Sequence, residues 1–342
     1  MRDAIPARPA DHPVIAQPKL GVLIVNLGTP DAPDPAAVKR YLREFLSDPR
    51  VVEIPQLVWQ PILRGIILNT RPKKSAHAYS QIWTPDGSPL AVHTRATAQA
   101  LAGRFDGENV LVDWAMRYGN PSIASKVAAM KKAGCERILF APLYPQYSGA
   151  TTGSANDALF AALGQMRWQP SIRTLPPYYD DPDYIAMLAD SARQAFATME
   201  RQPEALLLSF HGMPERTLHL GDPYHCHCVK TARLLRESLA ADFAGSVEIS
   251  FQSRFGRAQW LQPSTEDKLE ELLHRNIKNI AVMTPGFSAD CLETLEEIAM
   301  RGREQFLDGG GAAFFYIACA NSDDSATNLY EKLIRIELAG WI

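Results

Sequence analysis

Leu206-Leu207-Leu208-Ser209-Phe210 is an almost wholly apolar run that stops at His211-Gly212-Met213-Pro214. Such a run suits a parallel strand buried on both faces. Ligands of open α/β sheets sit in the crevice beyond the carboxyl ends of the strands, so an imidazole here stands at the mouth of a site. Further along, Ile280-Ala281-Val282-Met283 ends in Thr284-Pro285-Gly286-Phe287. A predicted helix follows, with Asp290, Glu293 and Glu297 at i, i+3 and i+7 on one face. An ordinary solvated helix would interleave Lys or Arg with such a row, and no base follows before Arg301. The helix dipole explains an acid at Asp290 but not one at Glu297, two turns in. An imidazole facing carboxylates across one cleft can bind a divalent ion, move protons, or do both.

Groups so far apart in sequence need a rigid frame. Strand-like runs fall at 21–27, 109–115, 137–142, 171–174, 204–210, 247–252, 278–284 and 312–317. Amphipathic stretches lie between them at 35–46, 89–104, 121–133, 154–165, 183–199, 227–241, 265–275, 290–304 and 324–338. This alternation predicts an α/β fold of βαβ units with parallel sheets. The 23–30 stretch echoes 206–214, and 140–145 echoes 282–287, which predicts two similar Rossmann-like domains with a cleft between them. The expected boundaries are a disordered tail at 1–19, a first domain at 20–175 and a second at 176–322. The proline pair Pro176-Pro177 marks the hinge. A final helix at 323–342 is placed to return to the first domain.

Composition narrows the classes. With 342 residues, 46% hydrophobic and 21% charged, the chain suits a two-domain globular enzyme. A net charge of −3 gives no electrostatic reason for a nucleic-acid partner. No apolar run approaches the ~18–20 residues of a membrane span, and the proline-rich start lacks the apolar core of a signal peptide. Five scattered cysteines form no disulfide framework, and a cytoplasmic location is expected. Cys226-His227-Cys228 looks like a metal site at first glance, but zinc sites want longer spacers and a second pair. The segment 56–68 is strongly apolar, broken by Pro61 and Gly65, and followed by Arg71, Lys73 and Lys74. It reads either as a core helix pair or as an exposed lip touching an apolar ligand or the surface of the inner membrane.

The motifs Ser209-Phe210-His211-Gly212, Gly221-Asp222-Pro223-Tyr224, Phe251-Gln252-Ser253-Arg254, Trp260-Leu261 and the 285–297 stretch together resemble the ferrochelatase family. Asn26-Leu27-Gly28-Thr29-Pro30, Gly87-Ser88-Pro89, Ala115-Met116-Arg117-Tyr118-Gly119 and Tyr144-Pro145-Gln146-Tyr147-Ser148 add to it, in order, from about residue 20 to 320. The resemblance implies insertion of Fe²⁺ into protoporphyrin IX to form protohaem, with loss of two pyrrole protons, the terminal step of haem biosynthesis. It implies His211 as metal ligand, proton acceptor or both, and Glu293 as the key carboxylate and second metal ligand. Asp290 and Glu297 extend the catalytic row, either handing protons outward or passing Fe²⁺ inward. Leu27, Arg117, Tyr118, Tyr144, Ser148 and Trp260 are the implied porphyrin contacts, although Trp260 also suits plain core packing.

Two departures from the family matter. Cys291 stands where many relatives have histidine, which removes a second imidazole from the site. Gly149 stands where animal relatives carry a cluster-ligating cysteine, and residues 338–342 hold no cysteine, so no iron–sulfur cluster and no permanently bound cofactor is expected. Fe²⁺ enters as substrate. A nicotinamide enzyme is disfavoured, because Leu27-Gly28-Thr29-Pro30 has proline where the dinucleotide fingerprint needs glycines. Two alternatives stay open: a chelatase for another tetrapyrrole such as coproporphyrin, and a non-catalytic haem- or metal-binding protein.

Overall fold

The computed structural model describes Asp11, residues 18–256 and residues 258–342. The expected tail at 1–19 lies outside the described residues apart from Asp11, Pro18 and Lys19, and Lys19 already opens the first strand. The first sheet holds β1 (Lys19–Thr29), β2 (Val110–Gly119), β3 (Cys135–Pro142) and β4 (Ser171–Thr174), all parallel, in the order β2-β1-β3-β4. The second holds β5 (Ala205–His211), β6 (Ser246–Gln252), β7 (Asn279–Met283) and β8 (Ala313–Ile317), again parallel, in the order β6-β5-β7-β8. The two orders are the same once the second sheet is renumbered from one. The sequence echo between the halves is therefore a repeat of topology.

Strand periodicity sets the layers. Val22 and Ile24 of β1 face one core while Leu23 and Val25 face another. In β5, Leu206, Leu208 and Phe210 turn away from Ala205 and Leu207 in the same way. The inward faces of both sheets share a single interior, since Val22, Ile24, Leu206 and Leu208 belong to one contiguous cluster. Each such side chain contributes about 1.5–3 kcal/mol by leaving water. The helices on the faces start where their caps dictate. Asp34 accepts from the N–H groups of Ala36 and Ala37 at the head of Pro35–Ser47, and Asp181 does the same for Asp183 and Tyr184 at the head of Pro182–Thr198.

The Pro176-Pro177 stretch does end regular structure, but it is packed: Tyr178 lies edge-on to Tyr184 and Tyr330, with ring centroids 5.4 and 6.1 Å away. The last helix, Asp324–Leu338, buries Tyr330, Ile334 and Leu338 in the shared interior and pairs Arg335 with Glu108 at 2.9 Å.

The 56–68 segment is continuous helix. Gln56–Ile62 runs through a π-helical turn at Leu63–Ile67 into Leu68–Ile82, so the expected breaks at Pro61 and Gly65 are absorbed by the wider turn. The segment divides into buried and exposed side chains. Trp59, Leu63 and Leu68 pack with Leu46 and Val52, and the Trp59 indole donates to the Leu46 carbonyl at 2.6 Å. Leu57, at 93% exposure, and Val58, Ile62 and Ile66 face outward. Among the described residues no helix is long and apolar enough to cross a membrane.

Candidate active site

His211 is the last residue of β5 and pairs with Gln252, the last of β6. The chain then turns sharply, and Gly212 N–H donates to the Gln252 carbonyl at 2.7 Å. A Cβ on Gly212 would stand 2.5 Å from that carbonyl and 3.3 Å from the Trp260 ring, so only glycine fits. His211 Nδ1 lies 2.7 Å from the Gly212 carbonyl oxygen. A carbonyl can only accept, so Nδ1 carries the proton and the Nε2 lone pair is left for a proton or a metal. Phe287, from the loop after β7, lies beside the imidazole at 6.4 Å between centroids.

The carboxylates sit on a helix of unexpected pitch. Glu293–Gly302 is π-helical throughout its ten residues, and such turns cluster at functional sites. Its local cause is partly visible: Gln252 Nε2 donates to the Glu293 carbonyl at 2.7 Å while its Oε1 accepts from Ser209. This ties the helix head to β5 and β6. The base that follows, Arg301, pairs with Glu296 five residues back at 2.9 Å, as a π pitch allows. Among the described residues Glu293 and Glu297 are left without a cationic ion-pair partner.

Glu297 is clamped instead by Ser253, whose N–H donates to Oε1 at 2.7 Å and whose hydroxyl donates to Oε2 at 2.6 Å. Ser253 holds a φ of 65°, a left-handed conformation that costs a non-glycine residue energy and is kept where the surroundings enforce it. Burial raises the Glu297 carboxyl above the ordinary range; the Ser253 hydrogen bonds and the His211 charge pull the other way, and Glu293 adds to the rise. The folded state thus holds this proton more tightly than the unfolded chain. Stability from this group is complete below the unfolded pKa and is lost as pH rises through the folded one. Glu297→Gln is expected to flatten that loss, so that melting temperatures of variant and parent converge in acid and separate toward neutrality, with the variant higher. Parallel melting curves across pH would refute the assignment.

Asp290 departs from the expected row. It precedes the helix, is buried, and its oxygens accept from Thr294, Tyr316 (2.6 Å) and Asn321 (2.8 Å). Five hydrogen bonds, counting one from the Cys319 N–H and its own N–H to Asn321, make it an anchor of the helix head and not a free carboxylate facing the cleft. Cys291 beside it is buried, and burial pushes its thiol well up, so it stays protonated at neutral pH.

The implied porphyrin contacts divide. Leu27 packs with Leu90, Met116, Ala289, Cys291 and Phe287, where the ends of the two sheets meet. Asn26 reinforces that junction by donating to Ser288 at 3.0 Å. Trp260 is buried, donates its indole N–H to the Phe255 carbonyl, and lines a cleft of about 790 Å³. Arg117 and Tyr118 are revised. Both bond the same Asp48 oxygen, at 2.5 and 2.8 Å, and both reach Ser154, closing a network with no donor left over from Tyr118. Burial would raise the Asp48 carboxyl, but bonds from Ser154, the Arg50 N–H and Tyr118 hold it below its usual value. Ser148 is fully buried and bonds Asp222, which also accepts from Gly149 N–H at 2.7 Å, stitching the first half to the second. Tyr144 gives ring surface to the cluster beneath Leu27 and keeps its hydroxyl buried and unpaired.

Cys226 is exposed and Cys228 is fully buried, so the two thiols diverge. Between them, His227 accepts from Tyr147 N–H and stacks on Tyr179 at 3.6 Å. Among the described residues no three His, Cys, Asp or Glu side chains converge as a cage for a metal ion. The large cleft is lined by Val51, Ile54, Trp59 and Ile67 from the first half and Met213, Phe255 and Trp260 from the second, together with Arg50, Arg71 and Arg216. Its wall begins two residues after His211 and does not itself include His211, Glu293 or Glu297. Arg71 stands 5.4 Å over the Phe255 ring.

The model of the family described as Ferrochelatase matches residues 19–338. The chain belongs to the ferrochelatase family. It is 52% identical to the ferrochelatase of Agrobacterium fabrum over the full length of both, and 53% identical to that of an Azoarcus species over 95% of this chain and 89% of the other. Among solved structures, SirB from Bacillus subtilis with Fe³⁺ superposes with a TM-score of 0.57 over 94% of this chain and 96% of that one, at 12% identity, a likeness of fold alone. As a ferrochelatase, the protein is an enzyme of the metal-chelatase class. Sequence reasoning missed Ser253 and Gln252 as supports of the carboxylates, although both lie within a quoted motif. It also missed Tyr316 and Asn321, for which no local signal exists.

Proposed function

We propose that this ferrochelatase inserts Fe²⁺ into protoporphyrin IX in the cleft, releasing two protons and forming protohaem. The observation that carries the reading is the tautomer of His211 set by the Gly212 carbonyl, which leaves the Nε2 lone pair free at the strand end, within electrostatic reach of Glu297. His211 takes a pyrrole proton, and the carboxylates take protons on from it; Glu297, with its raised pKa and Ser253 clamp, is suited to hold one briefly. The Nε2 lone pair and a Glu293 oxygen are also suitable donors to Fe²⁺, and the vacated pyrrole nitrogens complete the coordination. That division of labour explains why the side chains need no cage of their own. No resident cofactor or iron–sulfur cluster enters this scheme. At position 149 the backbone N–H serves Asp222.

Substrate choice follows from the cleft walls. Arg71, without an ion-pair partner among the described residues, suits one propionate. Arg50 and Arg216, paired with Asp157 and Glu53, would exchange those partners for a second, while the apolar walls suit vinyl groups. Coproporphyrin would bring two further carboxylates against apolar surface, which is costly. Protoporphyrin IX is expected to exceed coproporphyrin in kcat/KM by at least about ten-fold, read by ferrous chelation on purified enzyme. Equal or reversed preference would move the assignment to the coproporphyrin substrate, and no turnover with either would favour a binding protein. The outward apolar side chains of the 56–68 lip suit peripheral contact with a membrane surface, from which an apolar macrocycle can be drawn.

A further inference from the structure

A second pocket, of about 290 Å³, lies between helix Pro35–Ser47 and the π-helical turn, lined by Lys39, Arg43, Arg64 and Leu68. Lys39 and Arg43 are one helical turn apart and share a face. Lys39 Nζ donates to Asn69 Oδ1 at 3.1 Å and Arg64 Nε to Gln60 Oε1 at 3.2 Å, both neutral acceptors. Among the described residues none of the three cations belongs to an ion pair, whereas neighbouring Arg40 is matched with Asp31. Three uncompensated like charges around one concavity repel each other, and folding alone gives no reason to gather them.

We propose that this pocket binds the phosphate of an anionic phospholipid headgroup. The choice of a lipid over a free anion rests on the reading of the lip as a membrane-contacting face. Arg64 stands in the chain between the exposed Ile62 and Ile66, and Leu57 and Val58 project from the same rod. Apolar side chains entering the acyl boundary with cations beside them at headgroup level match the charge and polarity profile of an anionic leaflet. A free phosphate would make no use of the apolar side chains.

The test is sedimentation of the full-length enzyme with vesicles of phosphatidylcholine alone or mixed with phosphatidylglycerol. Each cation near an anionic surface contributes about five-fold, so Arg43→Gln with Arg64→Gln is expected to weaken partition onto the mixed vesicles about 25-fold. Partition onto phosphatidylcholine and turnover in detergent solution should stay unchanged, and the Lys pair at the same positions should restore binding. Leu57→Ser with Ile66→Ser examines the lip separately and should lower partition onto both vesicle types. If only this second arm fails, the lip reading falls while the cationic pocket stands. Mixed-vesicle binding by the Gln pair equal to that of the parent would overturn the headgroup site. So would stabilisation of the parent by inorganic phosphate, through Arg43 and Arg64, without any preference for the anionic vesicles.

Discussion

Replacing His211 with alanine is expected to lower Fe²⁺ insertion by about 10²–10⁴-fold, the range of a lost general acid–base group. The protein should stay folded and still bind porphyrin. The imidazole is half-buried at a strand end, and its side-chain hydrogen bond goes to the adjacent Gly212 carbonyl, so its removal breaks no long-range link in the fold. The Gly212 turn, the Gln252 pairing and the Trp260 wall do not depend on it. Porphyrin titration by fluorescence quenching and a thermal melt check the two unchanged properties, and single-turnover chelation checks the lost one. Turnover within a few-fold of the parent would remove His211 from the mechanism. Loss of porphyrin binding together with activity would recast it as part of the wall.

Glu293→Gln is expected to cost most of the activity, and Glu297→Gln noticeably less. Both Glu297 oxygens are occupied by Ser253, which suits a group that stores or relays a proton. Glu293 has no such clamp, and its charge is felt by the buried Tyr41 and Tyr79 hydroxyls of the first half as well as by Cys291. It faces the junction of the halves, where the macrocycle is proposed to sit. Removing its charge therefore acts at the reacting nitrogens, whereas amidation of Glu297 interrupts only onward transfer. Chelation rates of the two variants at saturating porphyrin decide the order, and a larger loss in Glu297→Gln would invert the assigned orientation of the helix.

Strand positions, parallel pairing and the placement of His211 were legible because each rests on a local pattern: an apolar run, its abrupt end, and a glycine turn. The carboxylate row was legible only as composition. Its geometry was not, because the π pitch arises from tertiary contacts such as Gln252 reaching the Glu293 carbonyl, which propensity does not encode. Asp290 looked free because its partners Tyr316 and Asn321 lie 26 and 31 residues away in the chain. Arg117 and Tyr118 looked like ligand contacts for a similar reason, since their acceptor Asp48 is 69 and 70 residues distant. Ser253 gave no warning of its positive φ, which glycine or asparagine would have signalled. In 56–68 nearly every residue is apolar, so periodicity could not separate the buried Trp59 from the exposed Leu57.

The interior shared by both sheets has a consequence for how substrate enters. Two lobes with separate cores joined by a linker could swing apart as rigid bodies to admit a macrocycle. Here Val22 and Ile24 belong to the same packed cluster as Leu206 and Leu208, and the terminal helix is wedged into it through Tyr330 and Ile334. Parting the halves would expose that whole interior to water. The chain should therefore unfold in one cooperative transition, and neither half should persist alone. Admission and release are expected to fall to the outlying rod at 56–82, whose small cluster around Trp59, Leu63 and Leu68 lies apart from that interior.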